Sequence, residues 1–377
     1  MKTIRLRTRL SGDTVRFTTL ITLTMLIGIA SGFTFAQVNE YDRLRQIGLN
    51  EYLMGHYSQA ETWILSALES ARKSHNEYAV AVDYAALGDV YQAELRLTEA
   101  EEAYGKAIST LRHQPEQAHA LAIVWRNLGA ALIAEGRFEE ALKDVNEASK
   151  LIKHNKLKNP KLEALILNTR GLIYFYQGKT RNAETSFIEA SRIEFVPDSA
   201  FDVDAGEILN NLGRVYQAMR QYGKAEDASK RSLERKEARY GNCHPNLAFT
   251  LNNLGLVYIS TNRYREAEEH FRRSLAILEH AGLTDERLMM QTLHGLGKTY
   301  MAERDTPRAE PFLARAAEIV RRMSLQPPDL SEAIEVLETY SQVLTDLSNP
   351  VEARRMHEEA QRIRAAKAFT VRANQAK

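Results

Sequence analysis

Seven glycines recur along the chain at a nearly fixed interval. They are Gly48, Gly88, Gly129, Gly171, Gly213, Gly255 and Gly297, separated by 40, 41 and then 42 residues four times. A period between about 20 and 50 residues specifies stacked supersecondary units, none of which buries its apolar face alone. In the sixth unit Leu251, Leu254, Gly255 and Tyr258 fall at i, i+3, i+4 and i+7, one face of a helix. After the turn Thr261–Tyr264, Ala267, Phe271 and Leu275 mark the inner face of a second helix. Gly255 and Ala267 are small where the two helices must approach, and Phe271 fills the layer beside them. Nine prolines, nineteen glycines and long Ala/Glu/Leu/Arg/Lys stretches without strand-type alternation predict an all-α chain. With 44% hydrophobic and 26% charged residues it is a folded one.

These positions resemble the tetratricopeptide repeat. The family pattern W-x2-L-G-x2-Y, A-x3-F, A is matched by Tyr84, Leu87, Gly88, Tyr91, Ala100, Tyr104 and Ala107. Eight units start near residues 41, 81, 122, 164, 206, 248, 290 and 334. The last has Ser341 for the glycine and Pro350 in its turn, as a degenerate cap would. The 42-residue period is similar to that of the kinesin-light-chain subtype, whose inter-repeat phrase is mirrored by RYGNCHPNLAFTLNNLG over Arg239–Gly255, and more closely to exported bacterial proteins of that subtype. The resemblance implies a right-handed superhelical solenoid over residues 37–366, a C-terminal tail at 367–377, and a concave groove that binds protein.

Ahead of the repeats, a basic stretch to Arg16, an apolar run from Phe17 to Ala30 and the small-residue sequence TFA before Gln37 read as an export signal covering residues 1–36. The run is short for a membrane span, which needs about 20 residues. Cleavage after Ala36 and a periplasmic or extracellular destination are expected, with an uncleaved membrane anchor as the alternative. The net charge of +1 includes Lys2, Arg5, Arg7, Arg9 and Arg16 against Asp13, so the remainder carries −3. That argues against a nucleic-acid partner. The single cysteine, Cys243, permits no internal disulfide.

Within the units, the residue three before each glycine forms a polar column: Arg126, Asn168, Asn210, Asn252 and His294. Two readings of it stand. As the side the family turns to its groove, it is a ladder of donors and acceptors for the amides of an extended peptide. Otherwise it is a solvated polar face. Asn127, Asn211 and Asn253, one residue on, hold a slot the family often fills with asparagine to bond a neighbouring helix. Further along the stripe come Ala130, Ile133, Leu172, Phe175, Arg214, Gln217, Leu256, Ile259, Lys298 and Met301, with Asp89 and Glu338 at the ends. Arg126, Arg214, His294 and Lys298 favour acidic side chains or a C-terminal carboxylate.

No HExxH, phosphate-binding or dinucleotide-binding glycine motif occurs, and His113 and His119 lack a helical metal spacing. Cys243–His244 lies in the inter-repeat phrase, and the basic run Lys150–Lys161 reads as a solvated helix end and linker. The acidic, proline-containing stretch Glu194–Glu207 is the largest departure from the repeat. The expectation is a monomeric, non-enzymatic scaffold with no cofactor and no metal, binding about 12 residues of extended chain in its groove. The alternative is a spacer acting through its convex face or its ends.

Overall fold

The computed structural model describes residues 39–193, 202–281, 286–323 and 327–375. The expected export segment and most of the Glu194–Glu207 stretch lie outside the described residues. Sixteen α-helices and no strand occur among those described, and they stack in eight antiparallel pairs. The pairs are α1 (Glu40–Leu53) with α2 (Tyr57–Lys73), α3 (Glu77–Ala93) with α4 (Leu97–Leu111), and α5 (Ala118–Ala134) with α6 (Phe138–His154). Next come α7 (Pro160–Tyr176) with α8 (Thr180–Arg192), α9 (Asp202–Ala218) with α10 (Tyr222–Tyr240), and α11 (Ala248–Ser260) with α12 (Tyr264–His280). The stack ends with α13 (Glu286–Ala302) and α14 (Thr306–Arg322), then α15 (Pro327–Asp346) and α16 (Pro350–Gln375). The last helix continues through most of the residues expected to form a tail.

The glycine period is the helix crossing. Each of the seven glycines faces the residue sixteen positions further on: Ile64, Tyr104, Val145, Phe187, Ser229, Phe271 and Leu313. A Cβ at Gly88 would sit 2.5 Å from the Tyr104 ring, and one at Gly255 2.5 Å from the Phe271 ring. Twelve residues after each glycine stands a buried alanine, from Ala60 to Ala309. In the eighth pair Ser341 replaces the glycine and its Oγ donates to the carbonyl of Ala353, the equivalent alanine, at 2.8 Å.

The turns within pairs are as regular. In each, the first helix is closed by a residue with left-handed φ: Gly55, Leu95, Gly136, Gly178, Arg220, Asn262, Arg304 and Ser348. The next N–H donates back to the carbonyl five residues earlier, as Arg96 does to Tyr91 at 2.8 Å. That next residue also ties pairs together where it is arginine. Arg96 reaches back to Glu61 at 2.8 Å, Arg137 to Glu101 at 2.6 Å and Arg263 to Glu226 at 2.9 Å, each on the preceding second helix. Half-exposed pairs of this kind contribute about 0–1 kcal/mol each, so they set the stacking register more than the stability.

Successive first helices touch one another along the whole stack, and successive second helices barely do. The first helices therefore lie on the inside of the curve, and α1, α3, α5, α7, α9, α11, α13 and α15 build its concave face. Among the described residues no helix is long and apolar enough to cross a membrane.

Candidate functional site

The five residues of the polar column sit where first helices meet, and all are buried: Arg126 4%, Asn168 7%, Asn210 0%, Asn252 4% and His294 5% exposed. For Asn168, Asn210, Asn252 and His294 the partner comes from the next pair. Asn211 Nδ2 donates to Asn168 Oδ1 at 3.0 Å, and Asn253 Nδ2 to Asn210 Oδ1 at 2.8 Å. The first asparagine of one pair thus accepts from the second asparagine of the next. Where that second slot is Gly295, which has no side chain, Asn252 turns instead to Thr292 Oγ1 at 2.9 Å. His294 Nε2 bonds Thr339 Oγ1 at 3.1 Å, and burial lowers its pKa to about 4, with Lys298 adding to the effect. The expectation of a solvent-facing ladder is corrected on this point: the column is a buried polar seam that joins neighbouring first helices. Close packing of those helices on the inside of the curve turns the asparagine carbonyl groups toward neighbouring helices and leaves the column little exposed surface.

The accessible stripe lies further along the same helices. Ala130, Ile133, Leu172, Phe175, Arg214, Gln217, Leu256, Ile259, Lys298 and Met301 are all half-buried. Lys298 is not a free charge, because its Nζ is 2.6 Å from Glu335 Oε1. Arg214 differs. Its guanidinium lies 4.8 Å from the centroid of Phe175, 5.6 Å from Phe249 and 5.9 Å from Tyr176, and among the described residues no carboxylate pairs with it. Tyr176 stacks on Phe138 at 6.3 Å and is 40% exposed. Rings from α6, α7 and α11 therefore cradle one cation from α9 near the middle of the inner face. The stripe read from the sequence holds Phe175 and Arg214, but Phe138, Tyr176 and Phe249 fall outside it, so the cluster escapes a column-by-column reading.

Toward the N-terminal end the inner face holds a cavity of about 220 Å³ between the first four pairs. Asp89, Arg126 and Asn127 form its floor, and Tyr52, Ile133, Leu172 and Tyr176 are among its walls. Asp89 Oδ1 accepts from Tyr104 Oη at 2.5 Å and from Asn127 Nδ2 at 3.0 Å. Burial pushes its carboxyl up to about 7, against those two donors and the charge of Arg126.

Other sequence candidates resolve into structure. His244 Nδ1 accepts from its own turn at Asn246 N, 3.2 Å away, and its ring stacks on Tyr240 at 4.3 Å, while Cys243 is exposed. His119 Nε2 bonds Asn159 Nδ2 at 2.6 Å. In the basic run Lys150, Lys153, Lys156 and Lys158 are exposed, but Lys161 is buried in the first turn of α7, contrary to a uniformly solvated reading. Among the described residues no group of three or more His, Cys, Asp or Glu is placed to hold a metal ion.

Residues 204–280 match the sequence pattern described as Tetratricopeptide repeat. No curated protein matches the chain. Among solved structures, BtubC (BKLC) from P. vanneervenii is 25% identical with a TM-score of 0.51, over 61% of this chain and 91% of that one. The quorum sensor NprR from B. thuringiensis, in its apo form, is 15% identical with a TM-score of 0.64, over 86% and 87% of the two chains. A Rap protein complexed with Competence and Sporulation Factor is 13% identical with a TM-score of 0.61, over 90% of each chain. The matched residues span α9 through α12, and the same glycine, alanine and turn positions continue through the pairs on either side, so the tetratricopeptide-repeat match at 204–280 is one stretch of a regular stack of like helix pairs.

Proposed function

We propose that the protein is an interaction scaffold that lays an extended polypeptide segment along its concave face, with an acidic side chain or C-terminal carboxylate of that segment on Arg214. The observation that carries this reading is the Arg214 guanidinium, held over three aromatic rings without a carboxylate partner among the described residues. A guanidinium fixed in this way has its N–H edge free for a bidentate bond to a carboxylate, while the rings supply apolar contact to the neighbouring side chain. The half-buried Leu172, Leu256 and Ile259 offer apolar footing on either side, and the buried seam keeps the platform rigid. The fold lends itself to such use, since the Rap structure of the same fold holds Competence and Sporulation Factor.

The N-terminal signal reading belongs to the same proposal: the mature protein starts near Gln37 and works outside the cytoplasm. N-terminal sequencing of the exported protein tests that part, and a retained Met1 on membranes would replace it with an anchored scaffold. The groove is tested with 12-residue peptides displayed on phage and panned against the full-length protein. The wild type should enrich acidic sequences, and Arg214→Glu, folded by circular dichroism, should lose them. Equal enrichment by both proteins would sink the concave-face reading and move the search to the convex surface.

A further inference from the structure

The cavity between the first four pairs differs from the rest of the inner face in having a charged floor. Asp89 is 3% and Arg126 4% exposed, so a carboxyl and a guanidinium of opposite charge share one buried space. Asn127, 2% exposed, gives its Nδ2 to Asp89, and its Oδ1 has no hydrogen-bond partner. Buried acceptors are rarely left so in a native protein. Asn127 is one of the residues that line the cavity, with Ile133, Leu172, Tyr52 and Tyr176, and its Oδ1 lies buried just behind that lining.

The guest that suits this lining is neutral and donates an N–H. A carboxylate would find one attraction at Arg126 and one repulsion at the ionised Asp89, and an ammonium the reverse, so neither sign of charge is favoured outright and a neutral donor meets no repulsion. A volume of 220 Å³ is smaller than the roughly 300–1,000 Å³ of pockets that take whole small molecules. It suits one side chain of something held elsewhere. Tyr176 provides the continuity, because its ring both lines the cavity and lies 5.9 Å from the Arg214 guanidinium.

We propose that this cavity takes a primary-amide side chain, glutamine or asparagine, of the segment bound along the groove, with the amide –NH2 donating to Asn127 Oδ1. The inference rests on the groove reading above and adds a second specificity element to it. A bound segment then carries an amide residue at a fixed short spacing from the acidic group on Arg214, and the pair of contacts sets its direction along the stack.

The test uses the pool of 12-residue phage peptides enriched by the wild-type, full-length protein. Aligned on their acidic residue, the sequences should show glutamine or asparagine at one constant position. In a synthetic peptide from the pool, Gln→Glu or Gln→Lys at that position should weaken binding by about tenfold or more, the scale of one lost buried hydrogen bond with a like charge brought close. Asn127→Leu should abolish the discrimination between amide and acid and keep the requirement for the acidic residue. Ala130→Met fills the cavity from its half-buried wall without touching the Asp89 bonds, so it serves if Asn127→Leu does not fold, and it should have the same effect. Acidic peptides without a constant amide, or amide selection that survives Ala130→Met, would overturn the pocket and leave the groove standing. No enrichment by the wild type would remove both.

Discussion

The reassignment of the asparagine column from groove to seam makes a quantitative prediction at Asn253. Truncation to alanine removes the donor to Asn210 Oδ1, a bond of 2.8 Å between residues 7% and 0% exposed. Asn210 Nδ2 already lacks a partner, so the variant would leave the whole Asn210 amide unpaired in the interior. An orphaned buried polar group costs about 1–3 kcal/mol, whereas an exposed polar residue of a binding ladder costs under about 0.5 kcal/mol on truncation. Urea unfolding followed by helical circular dichroism separates the two, provided the slope with denaturant is unchanged. A second variant tests the mechanism. Replacing both partners by the similarly shaped leucine, in Asn210→Leu/Asn253→Leu, removes the need for the bond and should recover most of the loss, because no orphan remains. A midpoint shift worth less than about 0.5 kcal/mol for Asn253→Ala would show the rung to be dispensable and return the column to the list of groove residues.

Three further outcomes follow from the same geometry. Gly255→Ala drives a Cβ to 2.5 Å from the ring of Phe271, itself 1% exposed, and should destabilise by about 1–3 kcal/mol less the roughly 1 kcal/mol that alanine gains over glycine in a helix; Gly213→Ala meets only the small Ser229 hydroxyl and should cost less, and equal thermal shifts would refute the crossing argument. Leu95, half-exposed at φ 60° where three equivalent turns have glycine, should gain up to about 1 kcal/mol on Leu95→Gly, and a loss in the same melt would show that its side chain matters more than its backbone. Burial raises Asp89 from 3.8 to about 7, so the folded chain holds a proton the unfolded chain releases: this contribution is full below about pH 4 and lost as pH rises to about 7. Because His294, lowered by burial to about 4, works in the opposite sense across the same window, the measurement is wild type minus Asp89→Asn; that difference should fall from about pH 4 to about pH 7, and a flat difference would contradict the assignment.

The repeat, its period and its crossing were legible in the sequence because each rests on a local rule repeated seven or eight times. A glycine column and an alanine column twelve residues later state that two helices approach closely, and every one of those positions is a contact in the fold. Which residues face the groove was not legible. Helical periodicity places Asn168, Asn210 and Asn252 on a definite side of their helices, but whether that side meets water or another helix depends on how tightly successive first helices pack, and curvature is a property of the stack. The same limit hid the pairing of Lys298 with Glu335, 37 residues away, and the burial of Lys161.

The five residues LNNLG, which occur twice along the chain, show the division plainly. Leucines and glycine of LNNLG at Leu209–Gly213 and Leu251–Gly255 predict the crossing from size and spacing alone. The asparagines acquire their meaning only when one copy is stacked on the other, because Asn210 is the acceptor and Asn253 the donor of a single bond between them. The chain also carries Phe138, Phe175, Tyr176, Arg214 and Phe249 on four different helices; the period relates only Phe175 and Arg214 as members of one stripe and leaves out the other three rings. Sequence determined the unit, since close approach and helix length are local. Tertiary stacking decided the surface, since a ring and a guanidinium become a site only when the curvature of the solenoid brings consecutive units to one face.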